Sequence, residues 1–371
     1  RDEDLRADRQ PEFTQIDVEM SFVRQDDIIE ITERFLKYLF KEFLGKDLQL
    51  PLPRLTYTEA MERFGSDKPD MRFGMELVNL TEAVRGCSFK VFSGAVETGG
   101  SVRGINVKGG AKFSRKEIDS LTEIAKTYRA KGMAWLKNNG GEISSSFAKF
   151  LSDEENRTIA EIMHFEEGDL LLIVADANKI VFDSLGALRC EAARRLGLIR
   201  QGEFKLLWVT EFPLLEYSED DGRYYAKHHP FTMPMEEDLD ALEKGENLDK
   251  IRSIAYDIVI NGTEAGGGSV RISRPDIQKK VFKALGMTEE EAQSKFGFLL
   301  EAYKYGAPPH AGMAFGFDRL VALLLGIEDI RDVIAFPKVQ NASELMTKCP
   351  TPGDSEALAE LGISITEKTS N

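Results

Sequence analysis

Strict alternation of apolar and polar residues marks the start of the chain, between residues 12 and 22. The apolar positions are Ile16, Val18, Met20 and Phe22, and the intervening positions are Phe13, Gln15, Asp17 and Glu19. A period of two predicts a β-strand with one apolar face. Its other face is either solvated or lines a site.

A second pattern predicts a β-hairpin around Asn261-Gly262, a dipeptide typical of two-residue turns. The segments 254–260 and 263–272 flank it. Such a turn pairs Val259 with Glu264, so Asp257 and Glu264 project from the same face as diagonal neighbours. Runs 204–209 and 224–227, around an acidic turn at 220–222, predict another hairpin.

Helical spacing follows the first strand and recurs near the end of the chain. Asp26 or Asp27 is the expected N-cap of the first helix. Its apolar positions are Ile28, Ile31, Phe35, Leu39 and Phe43. Near the end, residues 312–319 lead into an apolar helix over 320–325.

The stretch 75–203 has the pattern of a separate α/β unit. Ser114 and Glu117 form the capping box of one helix, residues 170–174 form a buried strand, and a helix over 185–196 ends at Gly197. The strands and helices lack regular βαβ spacing, which predicts an antiparallel or mixed sheet carrying an insertion. We therefore expect an α+β fold divided into residues 1–74, 75–203 and 204–371.

Composition narrows the functional classes. The 371 residues carry 48 basic and 63 acidic side chains, a net charge of −15, so any contact with nucleic acid needs a local basic patch. The three cysteines have no CxxC spacing, which argues against a zinc site and fits a reducing compartment. No apolar run is long enough to span a membrane. Because the chain opens at Arg1 without a methionine, we expect a piece of a longer polypeptide.

The paired carboxylates are the strongest candidate for chemistry. Asp257 and Glu264 on one face repel each other unless a cation lies between them, and Mg²⁺ is commonly held this way with substrate phosphates. A solvated pair is the alternative, which the glycines at 266–268 make weaker, because such residues let a ligand approach the backbone. Arg271 reaches the same face only if a glycine bulge shifts the alternation, and it could then hold a carboxylate.

Other candidates are basic or aromatic. Arg319 lies in the first turn of a helix whose N-terminus favours an anion, and Arg1 is a second candidate phosphate clamp. Phe13 could stack on a base. Of the adjacent His228 and His229, we expect one to face a site.

These segments together resemble one family. Residues 1–17 (RDEDLRADRQPEFTQID) are similar to motif 2 of bacterial-type aspartyl-tRNA synthetases, and residues 312–319 to motif 3 of class II synthetases. Residues 65–70, 256–257 and 268–271 also match. The resemblance implies the class II antiparallel sheet flanked by helices, with residues 75–203 as an inserted α/β GAD-type domain.

The resemblance also implies a role for each candidate. Arg1 and Arg319 are the implied catalytic residues. The implied ATP-binding residues are Arg1, Asp2, Glu3, Gln10, Phe13, Glu264, Gly316, Phe317, Asp318 and Arg319. The implied aspartate-binding residues are Arg1, Gln15, Asp17, His228 and Arg271. Asp257 and Glu264 are the implied ligands of Mg²⁺.

The implied activity is that of an aspartate–tRNA ligase, which uses ATP, Mg²⁺, L-aspartate and tRNA(Asp), in a cytoplasmic homodimer. The alternatives are charging of both Asp and Asn tRNAs, an inactive paralogue that only binds nucleotide, and a role based on the central domain's interactions. We expect the OB-fold anticodon domain and motif 1 of the family to be absent from this chain. Residues 1–371 alone are then expected to be inactive and prone to aggregation.

Overall fold

A computed structural model describes Arg1, Glu3 and residues 5–366. Packing divides the chain into two units. One joins residues 1–16 to the chain from Phe315 onward, and the other runs from Asp17 to Ala314.

Three sheets contain the strands of the described residues. In chain order the strands are β1 Gln15–Ser21, β2 Arg54–Thr56, β3 Val78–Asn79, β4 Ser101–Val107, β5 Ala134–Asn139, β6 Glu142–Ser145, β7 Leu170–Asp176, β8 Leu206–Thr210, β9 Leu215–Ser218, β10 Arg223–Ala226, β11 Ala255–Ile260, β12 Thr263–Val270 and β13 His310–Gly316. The largest sheet has the order β1-β13-β12-β11-β8-β2, a second has the order β3-β4-β7-β5-β6, and β9 pairs with β10. In the largest sheet β11 is antiparallel to β8 and β12, and the short β2 is parallel to β8.

Helices connect most of these strands. They are α1 Gln25–Leu44, α2 Tyr57–Phe64, α3 Lys90–Glu97, α4 Arg115–Thr127, α5 Asp153–Ile162, α6 Asn178–Leu196, α7 Leu239–Lys244, α8 Pro275–Ala284, α9 Glu289–Tyr303, α10 Phe317–Leu325 and α11 Ser355–Glu360. Capping boxes fix the starts of several, including the predicted one at Ser114 and Glu117. Gly197 ends α6 as predicted, although this helix begins seven residues earlier than the sequence indicates.

Helices cover both faces of the largest sheet in the unit from Asp17 to Ala314. Leu207 and Val209 of β8 pack with Phe64 of α2 on one face. Trp208 points to the other face and donates from Nε1 to Glu33 of α1 at 3.2 Å. The predicted class, an α+β fold with an antiparallel sheet flanked by helices, is therefore confirmed.

The five-stranded sheet explains the continuous apolar run at residues 170–174. Leu170, Leu172 and Val174 of β7 pack in a cluster that includes residues of α4 and α6. Leu171 and Ile173 pack in another cluster with residues of α3 and α5. Both faces of β7 are thus buried, and every pairing in this sheet is antiparallel. The separate domain over 75–203 stays a prediction, because the division by packing keeps these residues within the unit Asp17–Ala314.

Two local predictions were wrong. Strand β8 pairs with β11 and β2, while the acidic turn joins β9 to β10, because strand pairing between distant segments leaves no local signal. Helix α1 begins at Gln25 after Arg24, and Asp27 accepts the Arg24 backbone N–H at 2.7 Å. Its buried stripe contains Ile29, Leu36 and Phe40, whereas Phe43 is 72% exposed.

Candidate active site

The hairpin of β11 and β12 has the predicted register at its turn. Val259 pairs with Glu264 and Ile260 with Thr263. Gly262 adopts a φ of +81°, a conformation that side chains other than glycine rarely tolerate. Beyond Val259 the register shifts, and Ile258 pairs with Gly266, so β12 has a bulge at Ala265.

The two candidate metal ligands lie close together beside the bulge. Asp257 lies opposite Gly267, and a Cβ atom added to Gly267 would be 2.3 Å from Asp257 Oδ1 and 3.7 Å from Glu264 Oε1. A side chain at Gly267 would therefore fill the space that the two carboxylates border. Asp257 is only 8% exposed, and His228 Nε2 lies 3.9 Å from its Oδ1.

Two carboxylates beside a side-chain-free position fit a Mg²⁺ ion that completes its shell with water and phosphate oxygens. No group of three or more His, Cys, Asp or Glu side chains with metal-site spacing occurs among the described residues. Two carboxylate oxygen donors suit a hard cation that is shared with a substrate, whereas a closed structural metal site has four protein ligands.

Arg271 lies on the same side of β12 as Gly267. Its Nη1 donates to Ser269 Oγ at 2.7 Å. Gly267, Ser269 and Arg271 are every second residue beyond the bulge, and such residues share one face of a strand. The bulge therefore has the predicted effect of bringing Arg271 to the face of Asp257 and Glu264. The two carboxylates and the guanidinium thus share one face of the hairpin.

Two further residues contact Arg271 that the sequence did not single out for the site. Arg271 Nε donates to Glu19 Oε1 at 3.3 Å and Nη2 to Glu19 Oε2 at 3.2 Å. Glu19 belongs to the polar face predicted for β1, and it was the one acidic member of that face left without a role. The Arg271 Nη1 group also contacts His229 Nε2.

The two histidines contact different residues of the candidate site: His228 lies near Asp257, and His229 contacts Arg271. Burial, together with the nearby Arg271 and His228 charges, lowers the pKa of His229 to about 4. His229 is thus neutral at pH 7, and its Nδ1 accepts the Phe231 N–H at 3.2 Å. Local spacing did not distinguish His229 from His228, since only the path of the segment decides which ring meets Arg271.

In the other unit, residues from the two ends of the chain come together. Helix α10 begins at Phe317 with Gly316 as its N-cap. The Phe317 N–H donates to Thr14 O at 2.9 Å, and the Thr14 N–H donates to Asp318 Oδ2 at 3.1 Å. Arg319, in the first turn, donates from Nη2 to Asp8 O at 3.1 Å.

Arg1 lies beside the predicted base-stacking residue. Its guanidinium carbon is 5.0 Å from the centre of the Phe13 ring, and Nη2 donates to Gln15 Oε1 at 3.4 Å. Phe13 is 36% exposed, which leaves part of its ring accessible. Asp17 is an exposed residue of β1 in the unit Asp17–Ala314.

Gln10 and Glu3 have protein partners in this structure. Gln10 is 3% exposed, its Nε2 donates to Lys338 O at 3.2 Å, and its Oε1 accepts the Lys338 N–H at 2.7 Å. Gln10 thus ties the two ends of the chain together, a structural contact that the sequence did not predict. Glu3 accepts from Arg9 Nη1 at 3.4 Å. Asp2, predicted to bind ATP, lies outside the described residues.

Comparison with known proteins identifies the family. The family model for tRNA synthetases class II (D, K and N) matches residues 1–340. The chain belongs to this family. The predicted resemblance of its motifs 2 and 3 to class II synthetases is thereby confirmed at the level of the family.

Several curated relatives of this synthetase chain are aspartate–tRNA ligases. The enzyme of Ruminiclostridium cellulolyticum is 60% identical over 369 residues, which are 99% of this chain and 62% of that protein. Two proteins named aspartate–tRNA(Asp/Asn) ligase are also similar. That of Lachnoclostridium phytofermentans is 58% identical over 99% of this chain and 61% of its own length, and that of Caldanaerobacter subterraneus subsp. tengcongensis is 57% identical over 98% and 61%.

The synthetase chain therefore spans about three fifths of the length of these relatives. Among solved structures, the aspartyl-tRNA synthetase of Entamoeba histolytica aligns with a TM-score of 0.44 and 16% identity, over 93% of this chain and 47% of that one. None of the described helices combines the length and apolar character needed to cross a membrane.

Proposed function

We propose that the protein carrying this chain is an aspartate–tRNA ligase. It joins L-aspartate to ATP, forming aspartyl-adenylate and pyrophosphate, and then transfers the aspartyl group to the 3′ end of tRNA(Asp). Identity of 60% to a curated aspartate–tRNA ligase supports this proposal. The observation that carries it is the shared face of Asp257, Glu264 and Arg271 on one hairpin.

The first step requires alignment more than acid–base chemistry. The α-carboxylate of aspartate is ionised at neutral pH, so no general base is needed to make it a nucleophile. One of its oxygens attacks the α-phosphorus of ATP, and the bond from that phosphorus to the bridging oxygen of pyrophosphate breaks. Arg1 and Arg319 supply positive charge to the phosphoryl oxygens as negative charge develops there.

Asp257 and Glu264 are the residues proposed to hold Mg²⁺, which neutralises phosphate oxygens when bound. Phe13 and Phe317, both partly exposed, are suited to stacking on the adenine ring. We assign Gly316 and Asp318 to the same nucleotide site, as the family resemblance implies. Gln15 and Asp17 are the proposed partners of the aspartate substrate.

Selectivity for the amino acid is assigned to Arg271. A guanidinium binds a carboxylate through two parallel N–H bonds, and an asparagine amide can accept only through its single oxygen. Asparagine would therefore leave a half-buried N–H group unpaired, which discriminates strongly between the two amino acids. We assign His228, whose Nε2 lies 3.9 Å from Asp257 Oδ1, to the aspartate pocket, as the family resemblance implies.

In the second step the terminal ribose hydroxyl of the tRNA attacks the acyl carbon of the adenylate, and AMP leaves. We propose that this occurs in a cytoplasmic homodimer, as the resemblance implies. The similarity to two aspartate–tRNA(Asp/Asn) ligases supports a second candidate function, in which tRNA(Asn) is charged with aspartate as well.

Aminoacylation by the complete protein that carries these residues tests the proposal. Transcripts of tRNA(Asp) and tRNA(Asn) are incubated with ATP, Mg²⁺ and radiolabelled aspartate or asparagine. Charging of tRNA(Asp) with aspartate is expected, and charging of both transcripts with aspartate establishes the second candidate. Nucleotide binding without charging of either transcript would contradict both and favour a paralogue that only binds nucleotide.

A further inference from the structure

The register of the carboxylate hairpin is weakly specified by its own strands. Residues 266–268 of β12 are glycines, which offer no side chains to lock the pairing with β11. The bulge at Ala265 lies directly after Glu264, so a slip of one residue would turn that carboxylate to the other face. Contacts at the turn must therefore help to set where Asp257 and Glu264 point.

The loop of residues 65–77, between α2 and β3, approaches that turn through Asp70, which is buried. A Cβ atom added to Gly262 would lie 2.9 Å from Asp70 Cβ and 3.5 Å from the Asp70 backbone nitrogen and Cα. Asp70 is itself fixed, because Arg72 donates from Nη2 to Oδ2 at 2.6 Å, and from Nε to both carboxylate oxygens. The loop and the turn are thus in direct van der Waals contact.

Arg189 of α6 forms hydrogen bonds with the backbone of the same loop. This side chain is 1% exposed, and its Nη2 donates to the backbone oxygens of Asp70 at 2.9 Å and Gly74 at 3.0 Å. Its guanidinium lies 4.5 Å from the ring centre of Phe73 and 5.0 Å from that of Phe64. A planar group with five donors is suited to hold several carbonyl groups in a fixed arrangement, which an ammonium group cannot reproduce.

The turn is also tied on its other side. Asn261 Oδ1 accepts the Lys205 N–H at 2.8 Å, and its Nδ2 donates to Glu203 O at 2.9 Å. Glu203 and Lys205 follow α6 along the chain. The turn is therefore held by α6, through Arg189 and Asp70, and by the segment that follows α6.

We propose that Arg189 is a positioning residue for the metal-binding hairpin: through Asp70 it holds in place the turn at Asn261-Gly262, which determines the register that presents Asp257 and Glu264 to the cation. The predicted effect on the Mg²⁺ dependence of the reaction rests on the proposed function. The predicted effect on amide exchange in the hairpin does not. Helix α6, outside the largest sheet, is thereby assigned an indirect effect on the dependence of the reaction on Mg²⁺.

The test compares Arg189→Lys with Leu188→Ala in the complete protein. Leu188 is the preceding residue of α6 and is fully buried, so its truncation destabilises the helix packing but leaves the Arg189 hydrogen bonds to Asp70 and Gly74 in place. Hydrogen exchange is measured for the amides of residues 255–268, and the Mg²⁺ dependence of ATP–pyrophosphate exchange is measured beside the KM for aspartate.

We expect Arg189→Lys to speed amide exchange in the hairpin and to raise the Mg²⁺ concentration for half-maximal activity by about tenfold, the order of effect found for residues that orient metal ligands. The KM for aspartate should change much less. Leu188→Ala should leave both hairpin measurements near the wild-type values. Equal changes in the two variants would overturn the proposal, because they would indicate a general loss of stability.

Gly262→Ala provides a second variant should Arg189→Lys fail to fold. It alters the other side of the same contact, and we expect the same shift in Mg²⁺ dependence. An unchanged Mg²⁺ dependence in Gly262→Ala would also overturn the proposal. Absence of any Mg²⁺-dependent nucleotide binding by the wild type would contradict the proposed function, while the hydrogen exchange comparison would still decide the role of Arg189.

Discussion

Arg271 and Glu19 form a two-point ion pair, with Nε–Oε1 and Nη2–Oε2 distances of 3.3 and 3.2 Å. The two residues are 252 positions apart in the sequence. Glu19 thus occupies the edge of the guanidinium that suits a carboxylate best. An aspartate side chain that binds to this edge must displace Glu19.

This competition leads to a prediction for Glu19→Gln. An amide competes for the guanidinium less strongly than a carboxylate, and it also removes a negative charge beside the substrate. We expect the KM for aspartate to fall about three- to tenfold, corresponding to roughly 1 kcal/mol, with little change in the KM for ATP. Steady-state pyrophosphate exchange measures both constants. A raised KM for aspartate would mean that Glu19 supports Arg271 in the bound state.

Removing Arg271 should have a larger and opposite effect. We expect Arg271→Leu to raise the KM for aspartate far more than that for ATP, because loss of one partner of a charge-assisted contact costs roughly 2–5 kcal/mol. Arg274→Leu is the matched control, since Arg274 is three residues further on and pairs with Asp276 at the surface. Equal effects of Arg271→Leu on both substrates would make Arg271 a structural residue.

The carboxylate pair predicts a specific metal dependence. Glu264→Gln keeps the size of the side chain but removes its charge, so ATP binding should lose most of its dependence on Mg²⁺ while the protein stays folded. Titration calorimetry of ATP with and without Mg²⁺ measures this change. Glu219→Gln, in the exposed turn between β9 and β10, should behave like the wild type. If Glu264→Gln kept full Mg²⁺ dependence, the assignment of this residue as a ligand would be wrong.

His229 should make stability depend on pH. Its pKa is lowered to about 4 in the folded protein from an ordinary value of 6.5. Between these two values the unfolded chain binds more protons than the folded one, so the free energy of unfolding falls as the pH falls from about 6.5 to about 4, by on the order of 2 kcal/mol. Urea unfolding at pH 7 and pH 5 should show a smaller loss for His229→Gln than for the wild type. Equal losses would exclude this contribution.

The segment 75–203 should fold by itself. The buried residues of its two hydrophobic clusters all lie between Leu77 and Ala192, on either side of one five-stranded sheet. We expect residues 75–203, expressed alone, to give a cooperative thermal transition and to resist limited proteolysis. Non-cooperative melting and rapid digestion would show that contacts such as those of Arg103 with Glu62 are required for folding.

The sequence predicted those features of the site that depend on local spacing. The Asn261-Gly262 turn determines which residues pair beside it, so the shared face of Asp257 and Glu264 follows from counting positions. Arg271 reaches that face only because of a bulge. The run of glycines allowed a bulge but did not determine its position at Ala265.

Contacts between distant segments could not be predicted in this way. Neither Glu19 nor His229 has a local signal that directs it to Arg271, because β1 and the segment 228–232 reach that side chain only through the tertiary fold. The same reason explains the wrong partner for β8. Helix α1 has apolar residues around much of its circumference, so the pattern alone did not decide between the stripes of Phe40 and Phe43.

Amino-acid-dependent ATP–pyrophosphate exchange by the complete protein tests the central claim most directly, because it isolates adenylate formation from the choice of tRNA. We predict exchange with aspartate, a far lower rate with asparagine at the same concentration, and loss of the aspartate-dependent rate at subsaturating aspartate in Arg271→Leu but not in Arg274→Leu. Exchange that does not depend on aspartate, or that proceeds equally well with asparagine, would contradict the assignment of this chain's site to aspartate activation.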